Sequence, residues 1–402
     1  MSFCWVTCTI LPNLIILFSG FVRRFVMENN LVKYCKTCLN SSTRPNAFFN
    51  KEGLCPVCIY ERNERAKSIN WEGRRQEVLG IKNWGQQNTD STYDCIVPVS
   101  GGKDSTRQAF FVRDELGMNP LLVSCVYPPE QLAERGAYNL SNLIENGFDC
   151  HSISLDPLKW KALMRHGFFE FGNHLRSTEM ALYAIPIHVA IAYKIPLLFY
   201  GENPALTIGE KHGRLDGDAV GIQEGNTIKG GPKSLNFEEC TPQDYHFYEY
   251  PTYDDMKNAN LRIVYLGYYI QDWYGHKNAE FAMSKGLITR TDLPQDIGDL
   301  WGFSCLDEEF TIVNQLLKYH KLGFGRVTDQ VCEAIHQGMI TRSEAVELVK
   351  KYDGACAGKY ISMFCDYVEI TLDEFWCLVD KITNKDLFEY VNGKWQPKFE
   401  VK

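Results

Sequence analysis

Six consecutive residues, Ser100-Gly101-Gly102-Lys103-Asp104-Ser105, combine the groups that an anion site needs. Two glycines let main-chain N–H groups approach an anion with no Cβ in the way. Ser100 and Ser105 add hydroxyl donors, Lys103 adds a point charge for phosphate oxygens, and Asp104 is placed to hold Mg2+ or to cap a helix start. It is not a Walker A loop, which needs four residues between its glycines and a Ser or Thr directly after its lysine. A second set of residues is Cys35, Cys38, Cys55 and Cys58, two C-x-x-C pairs with sixteen residues between them. Each pair forms a knuckle that points two thiolates at one centre, and four thiolates complete the tetrahedral shell that Zn2+ favours. A closed shell leaves no open position for chemistry, so the spacing predicts a structural zinc ribbon or a docking surface.

The elements around these residues follow from periodicity. Tyr93 to Val99 reads as a short buried strand and Ser105 to Leu116 as a helix stopped by Gly117, so the six residues form a strand-to-helix turn with a helix N-terminus facing the anion. Strand and helix then alternate: Pro120 to Tyr127 (strand), Glu130 to Asn146 (helix), Cys150 to Leu155 (strand), Leu158 to Phe169 (helix), Met180 to Tyr193 (helix) and Ile195 to Tyr200 (strand). That order predicts an α/β fold with a parallel sheet covered on both faces. Ligands of such sheets sit outside the carboxyl ends of the strands, which brings Gly201-Glu202-Asn203-Pro204 to the same mouth as the phosphate turn. The Gly-rich stretch from Gly209 to Gly231 reads either as a mobile loop able to close over substrate or as a plain surface excursion. A strand is expected from Arg262 to Tyr269, and mostly helices after it. Thr341-Arg342-Ser343-Glu344 is a capping box for a helix stopping near Gly354. Lys321 to Arg326, with two glycines around Phe324 and a helix that Thr328 could cap, reads as an anion clamp through Arg326 or as a Gly-rich turn. The expected organisation is an apolar extension (1–26), a zinc ribbon (27–60), a helix and linker (61–91), a nucleotide-binding domain (92–250) and a mostly helical C-terminal region (251–402).

Ser100 to Ser105 resembles the pyrophosphate loop, or PP-loop, of the ATP pyrophosphatases: asparagine and GMP synthetases, argininosuccinate synthetase and the tRNA thiolases. From about Met27 to the C-terminus the chain resembles the N-acetyl sugar amidotransferases of bacterial surface-polysaccharide (lipopolysaccharide O-antigen) and nonulosonic-acid pathways. Six ordered blocks carry the likeness: Tyr34 to Cys38 with Cys55 and Cys58, Ser100 to Ser105, Asn142 to Asp149, Ile195 to Ala205, Lys321 to Arg326, and Gly338 to Arg342. Residues 1–26 have no counterpart, and Gly172-Asn173-His174 fits the pattern only loosely. The resemblance implies conversion of an acetamido group on a nucleotide-activated sugar into an acetamidino group, through an adenylated imidate that ammonia attacks. Gly101, Gly102, Lys103 and Ser105 would hold the departing pyrophosphate of ATP, and Asp104 would position Mg2+. Glu202 and Asn203 would contact nucleotide or acetamido group, Arg326 would add a second phosphate contact, and catalysis would fall on Lys103, Asp104 and Glu202. No glutaminase is legible: neither Met1 nor Met27 precedes a cysteine, and Cys305 is followed by Leu306-Asp307 rather than the glycine of a nucleophile elbow. The resemblance therefore implies a separate glutaminase, with its synthase-like companion, as the source of ammonia.

Composition narrows the alternatives. A net charge of −8 and a pI near 5.7 provide no basic field for nucleic acid, which weighs against a PP-loop tRNA thiolase. A non-catalytic zinc-ribbon scaffold is disfavoured by the intact phosphate turn. The 15 cysteines are odd in number and scattered, as expected of reduced thiols in the cytoplasm. Phe3 to Val22 carries no charged residue and Arg23-Arg24 follows, the pattern of an anchor held at the inner face of a membrane. The alternative is that translation starts at Met27, while a cleaved signal is disfavoured because the positive charges follow the apolar stretch.

Overall fold

The computed structural model describes residues 32–61, 69–209, 214–225 and 228–402, and the structural statements below concern these. The anchor expected over residues 3–22 lies outside them; among the described residues no helix is long and apolar enough to cross a membrane. The cysteine knuckles lead into a short helix, α1 (Pro56–Tyr60), and then α2 (Trp71–Asn88), which Asn70 caps by accepting from the Gly73 N–H. The alternating segment gives β1 (Cys95–Pro98), α3 (Lys103–Phe110) continued by a π turn to Glu115, β2 (Pro120–Val126), α4 (Glu134–Glu145), β3 (Cys150–Ser154), α5 (Pro157–Phe171), α6 (Arg176–Tyr193), β4 (Leu197–Tyr200), the short α7 (Pro204–Thr207), α8 (Tyr253–Asn258) and β5 (Arg262–Tyr265). Helices follow: α9 (Gly275–Ser284), α10 (Pro294–Ile297), α11 (Thr311–Leu322), α12 (Arg326–His336), α13 (Arg342–Tyr352), α14 (Gly358–Val368) and α15 (Leu372–Ile382), before a hairpin of β6 (Phe388–Val391) and β7 (Lys394–Pro397).

Strands β1 to β5 form one parallel sheet in the order β3-β2-β1-β4-β5. The order reverses between β1 and β4, and at such a switch point the loops leaving the two strands diverge and open a crevice. Both faces are buried, as the apolar strands require. Ile96, Leu121, Val123, Leu198 and Ile263 pack on the side of α5 and α6, while Val97, Leu122, Leu197, Phe199 and Val264 pack on the side of α2, α3 and α4. The first cluster continues without a break through α11, α14 and α15, with the Phe168 and Phe375 rings stacked at 5.4 Å. The helix expected within segment 61–91 is formed by residues 71–88. This helix, α2, lies on the sheet so closely that a Cβ on Gly85 would stand 2.6 Å from Leu197 Cδ2.

β5 ends at Tyr265 rather than Tyr269, because Leu266–Tyr268 turns into a 3-10 helix and the Gly267 N–H donates to Gly201 O at 2.8 Å, tying it to the loop after β4. The stretch from Gly209 to Gly231, read either as a mobile loop or as a plain surface excursion, is anchored in part where it is described: Ala219 N–H donates to Ile263 O at 3.0 Å and Tyr265 N–H to Gly217 O at 2.8 Å, so residues 217–219 lie along the outer edge of β5.

The capping box at Thr341 and Glu344 forms as read, and its helix ends before Gly354 at φ +77°. Helix α12 is capped differently from expectation. Thr328 lies inside it, and the cap comes from Asp353, whose Oδ2 accepts from Gly325 N–H at 2.8 Å and from Thr328 Oγ1 at 2.6 Å. Replacing Asp353 with alanine leaves those donors buried without a partner and should cost about 2 kcal/mol or more, read as a lowered urea midpoint with unchanged m-value.

Candidate active site and metal centre

The turn after β1 has the shape its glycines predict. Gly101 adopts φ +77°, and a Cβ there would stand 2.8 Å from the Leu140 nitrogen of α4, so only glycine fits. Helix α3 starts at Lys103 with Gly102 as its cap and no side-chain hydrogen bond to its first turn, which leaves main-chain N–H groups directed at the crevice. Ser105 has a different duty from the phosphate donor expected of it. Its hydroxyl donates to Gly102 O at 3.1 Å and accepts from Ser100 N–H at 3.4 Å, bracing the turn from within.

Lys103 Nζ donates to Asp104 Oδ2 at 2.6 Å, and Asp104 Oδ1 accepts from the Asn278 amide at 2.8 Å. The Asp104 side chain is 43% exposed, so it faces the open crevice and fits the role of holding a hard cation once Lys103 turns to a phosphate. Burial opposes the charge on Lys103, but Asp104, then Glu333 and Glu202, outweigh it and raise the ammonium pKa. Glu202 stands opposite, on the loop after β4. It is exposed to solvent. Desolvation, then the charge of Asp104, with Glu333 adding to both, lift its pKa to about 7. The structure therefore brings Lys103, Asp104 and Glu202 together, as the sequence led one to expect.

Two expected contacts lie elsewhere. Asn203 is 2% exposed, and its amide is fully engaged: Oδ1 accepts from Ala205 N–H at 3.0 Å, while Nδ2 donates to Arg214 O and Asp216 O at 2.8 Å each. It shapes the mouth rather than touching a nucleotide. Arg326 is turned into the C-terminal helices, with Nη2 3.0 Å from Cys305 Sγ and Nη1 3.7 Å from Asp299 Oδ2, and the end of its own helix is already filled by Asp353. Lys321 of the same block caps the C-terminus of α5 by donating to Gly172 O at 2.8 Å, and burial lowers its pKa to about 8.

Four further residues at the site, Asn278, Phe303, Gly275 and Glu333, have no local signal in the sequence. Phe303 stacks on Trp301 and faces Lys103 Nζ at 5.6 Å, a cation–π arrangement that roofs the lysine.

The four predicted cysteines converge. Their sulfurs lie within 4.8 Å of one another, with Cys35 and Cys58 at 3.6 Å and Cys38 and Cys55 at 3.7 Å. A tetrahedral ion with metal–sulfur bonds of about 2.3 Å needs sulfur–sulfur edges of about 3.8 Å, so these thiols fit a single zinc-like ion. Main-chain N–H groups of Asn40, Cys55 and Cys58 donate to the sulfurs, as knuckles do. Two residues of α12 join them from a distance. His336 Nε2 lies 3.1 Å from Cys58 Sγ, and Cys332 packs against the cluster. Their spacing of four, one helical turn, was the only available sign. Because metal binding and folding of such a knuckle are linked, Cys38→Ser or Cys55→Ser should abolish a stoichiometric metal content of one per chain and give poorly soluble protein, measured by elemental analysis. Metal-free protein that is fully folded and soluble would overturn this.

Residues 302–400 match the family model of the C-terminal domain of WbpG-like lipopolysaccharide (LPS) biosynthesis proteins. No curated protein matches the chain. Among solved structures, the U34-tRNA thiolase NcsA from Methanococcus maripaludis, with its 4Fe-4S cluster, aligns over 84% of this chain and 95% of its own at 12% identity. Its TM-score of 0.23 is too low to argue from. The likeness to WbpG-like proteins thus lies in residues 302–400, the C-terminal quarter of the chain.

Proposed function

We propose that this chain is an ATP-dependent amidotransferase that converts the acetamido group of a nucleotide-activated sugar into an acetamidino group. The observation that carries the reading is the phosphate turn, whose Gly101, Gly102 and Lys103 open at the sheet's switch point opposite Glu202. The WbpG-like domain, drawn from a family named for lipopolysaccharide biosynthesis, supports a place in surface-polysaccharide or nonulosonic-acid formation.

An amide carbon is a weak electrophile, so its oxygen must first become a leaving group. Attack of that oxygen on the α-phosphate of ATP forms an O-adenylyl imidate and breaks the bond to pyrophosphate. Ammonia then adds at the imidate carbon, AMP leaves with the former amide oxygen, and the amidine remains. The turn's N–H groups and Lys103 stabilise charge on the departing pyrophosphate. Mg2+ held by Asp104 would neutralise phosphate charge. Glu202, with a pKa near 7, is suited to take the proton that ammonia loses on addition. The thiolase alternative needs a reactive thiol near the turn, and the strand cysteines Cys95 and Cys125 are buried, at 0% and 6% exposure.

The reaction should release AMP and pyrophosphate, and the sugar should lose 1 Da as oxygen is replaced by NH, read by mass spectrometry. Oxygen-18 in the acetamido group should reach AMP; ADP and phosphate as products would refute the mechanism. Asp104→Ala should lower turnover on the order of 100-fold with folding intact. With free ammonia held constant, the rate should rise as pH climbs through about 7, where Glu202 loses its proton, and Glu202→Gln should flatten that limb. The chain alone should use ammonium salts but not glutamine until a partner glutaminase is added. Glutamine use by the isolated chain would point to a nucleophile not assigned above, with Cys305 the first to test.

A further inference from the structure

Glu333 belongs to α12, inside the WbpG-like domain, yet its carboxylate reaches the phosphate turn. Its Oε1 accepts from Gly275 N–H at 2.6 Å. The missing side chain of Gly275 is what admits it: a Cβ there would stand 2.9 Å from Glu333 Oε2 and 3.3 Å from Lys103 Cε. The carboxylate and the lysine stem thus pass over the same glycine. Lys103 thereby faces three carboxylates, those of Asp104, Glu333 and Glu202.

A site selected only to attract a polyphosphate would avoid this surplus. Each carboxylate near the phosphates repels them, and the repulsion is stronger in a crevice than in open water. A nucleotide that arrives with bound magnesium carries less negative charge and brings a cation for those oxygens to face. Glu333 is also firmly placed. One turn earlier, Asp329 pairs with Arg44 and with Lys318, and the adjacent Cys332 packs on the thiol cluster.

Resting on the reading of the turn as an ATP site, we propose that Glu333 makes it select magnesium-complexed over free nucleotide. The C-terminal domain would then set the specificity of a loop it does not contain.

The test is a titration of the full chain with ATP in excess magnesium and with ATP in buffer from which magnesium is omitted and no chelator is added, so that the thiol-bound ion stays in place, for wild type and Glu333→Gln. Glutamine keeps the acceptor for Gly275 N–H and removes only the charge. Free ATP should bind the variant more tightly while the magnesium complex gains nothing, so that the ratio of the two affinities falls on the order of tenfold. Gly275→Ala, which crowds the carboxylate away, should move the ratio in the same direction by less. If both variants bind ATP with the wild-type ratio, Glu333 is only a hydrogen-bond acceptor and the proposal falls. If wild type binds ATP in neither form, the functional reading itself fails, and this inference with it.

Discussion

Helix α12, eleven residues long, has to satisfy three buried clusters at once, and the arrangement of the site depends on it. Its first turn is capped by Asp353 from beyond the end of α13. Its middle carries Asp329 into an ion pair with Arg44, on the cysteine-knuckle side, and another with Lys318 of α11. Its last turn presents Cys332 and His336 to the thiol cluster and Glu333 to the phosphate turn. A helix is stiff over this length, so these contacts cannot adjust separately. A shift that improved one would degrade the others. Burial makes that costly, since Asp329 is stabilised in its charged form only while Arg44 and Lys318 stay in place: desolvation alone would raise its pKa, and the two cations hold it at about 2.

The parallel sheet supplies the other half of the site. With β1 and β4 adjacent but their crossover helices on opposite faces, the two strand ends have no helix between them, and the turn after β1 faces the loop after β4. The turn is narrow because α4 backs directly onto Gly101, and the opposite lip is narrow because Asn203 ties residues 214 and 216 across it. Both lips are thus braced from behind by groups that do not face the crevice.

Much of this was legible in the chain, and the boundary of what was legible has a physical cause. The phosphate turn, the cysteine knuckles and the Thr341 capping box are local: their partners lie within a few residues, or their chemistry admits one geometry. The alternation of strands and helices was read because the strands are buried on both faces and so are continuously apolar. Asn203 and Arg326 were misplaced for the opposite reason. Nothing beside them in sequence says which way the side chain turns, and their partners are set by packing: Arg214 and Asp216 on a returning loop for one, Cys305 and Asp299 for the other. Glu333 was invisible because its effect comes through Gly275 and Lys103, 58 residues away in the first case. Gly275 carries no signal in the sequence, yet it is the gap through which a distant carboxylate enters.

These long-range contacts also bear on why a generic phosphate turn is joined to a WbpG-like domain. A glycine-rich turn at a helix N-terminus binds anions of many kinds, because its donors are main-chain groups with no memory of the substrate. Selectivity must come from side chains that surround it, and here two of them are contributed by the C-terminal domain. Phe303 roofs Lys103 and Glu333 adds charge, while Gly275 and Asn278, from α9 outside that domain, hydrogen-bond Glu333 and Asp104 respectively. Detached from that domain, Lys103 would lose its aromatic roof and one of its three carboxylates, leaving Asp104 and Glu202 to govern it. The domain is therefore part of the site's electrostatics, and the metal-binding knuckle, by packing on the same helix, is part of what keeps it there.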